Sequence, residues 1–173
     1  MVKASDDQLW QWLSQVADPE IPVISVVDLG IVRGWQWLDD ERLEVMITPT
    51  YSGCPAMQAI ADDIRSALTQ HGLRDVTIAT QLSPAWTTDW MSESGKQKLR
   101  DYGIAPPAQQ ASAQAAENII DISAMFSRDA PAIACPQCGS SHTRLISQFG
   151  STACKALYRC TECLEPFDYF KPH

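Results

Sequence analysis

The 173-residue sequence has no apolar run approaching the roughly 18 residues that a membrane-spanning helix needs. It begins MVKASDDQLW, where a lone lysine is followed by no apolar stretch, so no secretory leader is expected and the cytoplasm is the expected compartment. Basic residues are scarce. Lys and Arg number 13 against 21 Asp and Glu, a formal net charge of -8. Residues 1–105 hold 8 basic against 15 acidic side chains, and residues 134–173 hold 4 against 3. Neither segment offers the basic stripe that neutralises phosphates, so no nucleic acid and no membrane partner is expected, and the partners sought are proteins or small molecules.

Catalytic constellations are also missing. The three histidines, His71, His142 and His173, have no serine, cysteine or carboxylate at motif spacing, and no enzyme is expected. Asp39-Asp40 and Asp62-Asp63 read as a turn and a solvated face. No internal repeat occurs. Cysteine is nearly absent from the first 134 residues, where Cys54 stands alone, and then appears five times in the last 39.

The N-terminal stretch alternates helical and strand patterns. Ser5-Asp6-Asp7-Gln8 has the form of a capping box, and Leu9, Leu13 and Val16, flanked by Trp10 and Ala17, give a helical face that Asp18-Pro19 should end. Residues 31–37 and 42–48 read as a hairpin around Leu38–Glu41. Met57, Ile60, Ala61, Ile64, Ala67 and Leu68 define a second helix closed by Gly72, residues 74–82 a third strand, and a last helix runs from between Thr88 and Ser94 to Gly103. The expected fold class is α+β, a two-layer domain with helices on one face of a small three- to four-stranded sheet, plus a small β-rich zinc ribbon. The expected domains are residues 1–105, a linker at 106–133 that is Ala/Gln-rich and carries the short apolar segment 119–126, and the ribbon at 134–173.

The ribbon rests on spacing. CPQC (135–138) and CTEC (160–163), with 21 residues between them, place Cys135, Cys138, Cys160 and Cys163 as four thiolates for one tetrahedral Zn²⁺. Iron would use the same thiolates. Forty residues are near the size at which a core fails alone, and structural zinc supplies on the order of 10 kcal/mol toward folding. Gly139 suits a left-handed turn after the first pair. Cys154 reads as a buried filler, an additional thiol near the metal, or a ligand exchanged for one of the four, and His142 competes as a ligand.

Cys54 lies in TPTYSGCP. If Pro55 is the first residue of the second helix, Cys54 is its N-cap, where unpaired amides and the helix dipole favour a thiolate. A buried structural cysteine is the equally weighted alternative.

DPEIPVISVVDLGIV (18–32) together with TPTYSGCP (48–55) resembles the signature of the metal-sulfur cluster assembly domain family, over residues 5 to about 102. WTTDWMSESGKQKLRDYGIAPP (86–107) and FGSTACKALYRCTECLEPFDYFK (149–171) resemble, within it, the accessory proteins of bacterial phenylacetate degradation, which carry a ribbon on the assembly domain. The resemblance implies an accessory role toward phenylacetyl-CoA epoxidase in aerobic phenylacetate catabolism, maturing the iron-sulfur cluster of its reductase component. It implies Cys54 as the residue that holds or relays iron or a cluster, with Asp18, Glu20 and Asp28 lining the neighbouring loop. It also implies a specific use for Cys154. Implied partners are the reductase and oxygenase components, iron-sulfur scaffold proteins and a second copy of this chain. Trp86 and Trp90 are candidates for partner docking or for closing the core. A structural subunit of the epoxidase and an electron-transfer protein with iron in the four-cysteine site are the alternatives.

Overall fold

The computed structural model describes residues 3–51, 53–107 and 133–172. The expected apolar segment 119–126 and Ser52 lie outside them. The chain divides into two compact units between Leu99 and Arg100.

In the first unit, α1 (Asp6–Leu13) starts at the expected capping box: the Ser5 hydroxyl accepts from the Gln8 amide, and the Gln8 side chain accepts from the Ser5 amide. It stops at Leu13, five residues before the Asp18-Pro19 pair. The apolar pattern continues through Val16 and Ala17 because the chain turns there and Ala17 bridges to Ser25, so the periodicity overstates the helix. Strands β1 (Val32–Trp37) and β2 (Arg42–Ile47) form the expected antiparallel hairpin, and β3 (Asp75–Thr80) pairs parallel to β2, giving the order β1-β2-β3. Leu43, Val45 and Ile47 alternate onto the buried face of β2, where α2 (Met57–Gln70) contributes Ile60, Ala61, Ile64 and Leu68. Each buried leucine, valine or isoleucine among them stabilises the fold by about 1.5–3 kcal/mol relative to exposure.

A 3₁₀ turn at Thr88–Trp90 leads into α3 (Glu93–Asp101). Gly95 lets this helix approach the 24–28 loop: a Cβ there would lie 3.0 Å from Asp28 Cβ and 3.1 Å from Ile24 Cδ1.

The second unit is a four-stranded sheet in the order β4-β7-β6-β5, built from β4 (Ile104–Ala105), β5 (Thr143–Ser147), β6 (Lys155–Cys160) and β7 (Pro166–Phe170). β4 pairs parallel to β7, so Ile104 and Ala105 belong to this sheet. Ala105, Ile133, Cys135, Ala156, Tyr158, Cys160, Phe167 and Tyr169 form its core. Ile146 and Phe149 are exposed and stay outside this core. No helix among the described residues is long and apolar enough to cross a membrane.

Candidate functional site: a four-thiol centre and the Cys54 loop

The two Cys-x-x-Cys turns converge. The sulfurs of Cys135, Cys138, Cys160 and Cys163 all lie within 4.8 Å of one another, with Cys135–Cys163 at 3.7 Å and Cys138–Cys160 at 3.6 Å. A tetrahedron with metal–sulfur bonds of about 2.3 Å places its sulfurs about 3.8 Å apart, so the donors fit a single ion. A multinuclear cluster would hold its thiolates on separate irons and spread them wider. Gly139 adopts the expected left-handed conformation (φ 75°), and its amide donates to the Cys135 carbonyl.

Amides of Cys163 and Glu162, working against burial, bring the Cys160 thiol down to about 7. The Glu165 amide favours the Cys163 thiolate, but burial and the neighbouring sulfurs of Cys138, Cys160 and Cys135 prevail and push that thiol up to about 12. A metal entering this centre therefore displaces protons.

His142 is not among the four: its Nδ1 lies 2.8 Å from Glu162 Oε1, on the surface. Cys154 immediately precedes β6, whereas Cys160 ends it, so the length of the strand separates Cys154 from the metal centre. It is buried, with its sulfur 3.0 Å from the Thr152 hydroxyl, and it is neither an additional thiol near the metal nor an exchanged ligand.

Because β2 and β3 run parallel, the loops leaving their carboxyl ends emerge side by side. Thr48, Pro49, Thr50 and Tyr51 from the first and Leu82, Ala85 and Trp86 from the second line a cavity of about 420 Å³. The Thr48 hydroxyl is buried there without a hydrogen-bond partner among the described residues, a feature that no sequence signal marks.

Cys54 follows on this first loop. It is half-buried, preceded by Gly53 in a left-handed conformation (φ 88°), and its amide donates to the Tyr51 carbonyl. It is not the helix cap. That position belongs to Ala56, which makes no side-chain capping bond, because residues 54–57 form a turn closed by the Met57 amide on the Cys54 carbonyl. Among the described residues the Cys54 thiol has no hydrogen-bond partner.

The carboxylates expected beside Cys54 are committed to local structure. Asp18 Oδ1 accepts from the Glu20 and Ile21 amides at 2.9 and 2.8 Å and shapes that turn, with Glu20 half-buried on it. Asp28 receives the hydroxyls of Ser25 (3.0 Å) and Ser92 (2.7 Å) and the Lys98 ammonium (2.6 Å). Burial works against its charge, but these donors prevail and hold the carboxyl below its usual range. No pattern in the sequence points to Lys98 or Ser92 as its partners.

Trp86 is 4% exposed and its indole N–H donates to the Leu29 carbonyl at 2.9 Å, so it closes the core and offers no docking side chain. Trp90 is half-buried, with the Arg33 guanidinium 3.6 Å from its ring centre.

Comparison with known proteins defines the class first. Residues 6–80 match the iron-sulfur cluster assembly protein family, and residues 122–171 match the PaaD zinc beta ribbon domain. The chain is 33% identical over 55% of its length, and 90% of the relative's, to the Fe-S protein maturation auxiliary factor of Porphyromonas gingivalis (strain ATCC BAA-308 / W83). A solved domain of unknown function, DUF59 from Bacillus anthracis, covers 54% of this chain and 90% of its own at 25% identity, with a TM-score of 0.50.

A protein of Escherichia coli (strain K12) assigned as a component of 1,2-phenylacetyl-CoA epoxidase is 48% identical over 95% of this chain and 91% of its own. The chain belongs to the family of that component, an iron-sulfur assembly domain joined to a zinc ribbon. The assembly-domain relatives are Fe-S protein maturation auxiliary factors.

Proposed function

We propose that this protein is a maturation factor that loads or repairs the iron-sulfur cluster of the reductase component of phenylacetyl-CoA epoxidase. The observation that carries the reading is Cys54: a half-buried cysteine, its sulfur without a hydrogen-bond partner among the described residues, on a loop at the carboxyl end of a parallel strand pair, in a domain whose relatives are Fe-S maturation auxiliary factors. The cargo is iron or a cluster. As an iron–sulfur bond forms, the Cys54 thiol gives up its proton, and the reverse exchange returns it when a client thiolate takes the iron. One thiolate does not hold a cluster alone, so a second comes from the client or from Cys54 of another copy. Zinc, a redox-inert ion suited to four thiolates, fills the ribbon and fixes its fold.

The test is Cys54→Ala expressed beside the reductase in cells lacking the native protein. The reductase should then carry substoichiometric iron and sulfide, while the variant keeps one zinc per chain. A full cluster complement would sink the reading.

A second reading is favoured by the name of the Escherichia coli relative, that of an epoxidase component. On that reading the chain co-purifies with the oxygenase in fixed stoichiometry, whether or not Cys54 is present. Size-exclusion chromatography of the co-expressed components separates the two.

A further inference from the structure

The two metal-binding turns of the ribbon differ at one equivalent position. After Cys138 the chain takes its left-handed residue as glycine (Gly139, φ 75°); after Cys163 the same role falls to Leu164 (φ 68°), which has a positive φ found at no other non-glycine residue among those described. A β-carbon disfavours this conformation, and leucine gains nothing in return from packing, because Leu164 is 59% exposed. The turn itself serves the metal centre, since it brings the Glu165 amide to the Cys163 sulfur, but nothing in that role calls for leucine, so an exposed apolar side chain stands where glycine would serve with less strain.

Leu164 is also tied to a charged patch. Its carbonyl accepts from Arg159 Nε at 3.0 Å. Arg159 on β6 stands directly opposite Arg144 on β5, so two guanidinium groups share one face of the sheet at adjacent cross-strand positions. Like charges so placed repel each other. Neither has a carboxylate partner among the described residues, although the whole chain carries a net charge of -8. One of the five N–H donors of Arg159 is taken by Leu164, which aims the rest of the group beside that side chain. Ile146, the extra residue at the β5 bulge, is 50% exposed and adds a second apolar contact near Arg144.

We infer that Leu164, Arg159 and Arg144 form a docking surface for a protein segment that presents an apolar side chain next to Asp or Glu carboxylates. The unpaired guanidinium groups call for carboxylates, and the strained, exposed leucine calls for an apolar group beside them. The acidity of the chain as a whole argues against a nucleic acid as the occupant. The inference rests on the maturation reading for the identity of the client, the reductase component, and it assigns to the ribbon the recognition that precedes exchange at Cys54.

The experiment measures binding of the full-length chain to purified, cluster-free reductase component by calorimetry. Leu164→Asn keeps a residue that tolerates the left-handed turn while removing the apolar contact; Arg144→Glu with Arg159→Glu reverses the patch. Each should weaken binding at least tenfold while one zinc per chain is retained. Raising the salt to about 0.5 M should weaken the native complex. If the charge-reversed variant loses its metal, Leu164→Asn alone decides. Binding by the variants as tight as native, no binding by the native chain, or a single-stranded oligonucleotide that displaces the reductase from the arginines would overturn the inference. Cys54→Ala should bind like the native protein, so failure of delivery through Cys54 and failure of this surface are read separately.

Discussion

The Asp28 carboxylate and the Lys98 ammonium, 70 residues apart in sequence, lie 2.6 Å apart and join the loop before β1 to α3. Folding lowers the pKa of Asp28, so its contribution is present above the ordinary carboxylate range and is lost as pH falls below about 4 and through the lowered folded value. Asp28→Ala should cost about 2–3 kcal/mol at pH 7, the worth of a hydrogen-bonded charged group. Urea unfolding of the two proteins should converge as pH falls through that window; a gap that persists at the acid end would show that the carboxylate charge contributes nothing.

Gly30 is closed to any side chain. Its φ is 69°, and a Cβ would overlap the backbone of Trp90. Gly30→Ala should cost at least about 2 kcal/mol from the conformation and the collision together, lowering the thermal midpoint by roughly 10 °C. A midpoint within a degree or two of native would contradict this packing.

The four-thiol centre and Cys154 should respond oppositely. Cys160→Ser should abolish stoichiometric metal and unfold the ribbon while the helices of the first unit remain, as circular dichroism and metal analysis would show. Cys154→Ser should keep the metal and lose only about 1–3 kcal/mol for a buried sulfur replaced by a hydroxyl. Metal loss in the second variant would place Cys154 at the centre after all.

Acid should release the ribbon metal. With the Cys160 thiol at about 7 and the Cys163 thiol at about 12 before loading, binding frees protons at neutral pH, and affinity falls as pH falls. A chromophoric chelator should strip the metal faster at pH 5.5 than at pH 7.5, and equal rates would refute the linkage.

The features readable in the sequence are those set by short-range rules. The Ser5–Gln8 capping box, the hairpin around residues 38–41, the apolar face of α2 and the four ribbon cysteines each need only a fixed local spacing. What escapes depends on contacts between distant segments. The end of α1 is set by Ala17 meeting Ser25, not by the proline at 19. The burial of Trp86 depends on the Leu29 carbonyl, 57 residues away. Cys54 does not cap α2 because a turn at 54–57 intervenes, which Pro55 alone does not reveal. The left-handed Leu164 can be noticed only by setting the two metal-binding turns beside each other, since leucine in a sequence carries no sign of positive φ.

The strand at Ile104–Ala105 has a consequence for dissecting the molecule. Its hydrogen-bonding partner, β7, is the last strand among the described residues, so the ribbon sheet is stitched from segments on either side of the Ala/Gln-rich stretch. An excised tail starting at residue 134 would therefore lack one of its own strands and leave an edge of β7 bare. A peptide carrying residues 100–107 should bind that tail by fragment complementation and restore the missing strand.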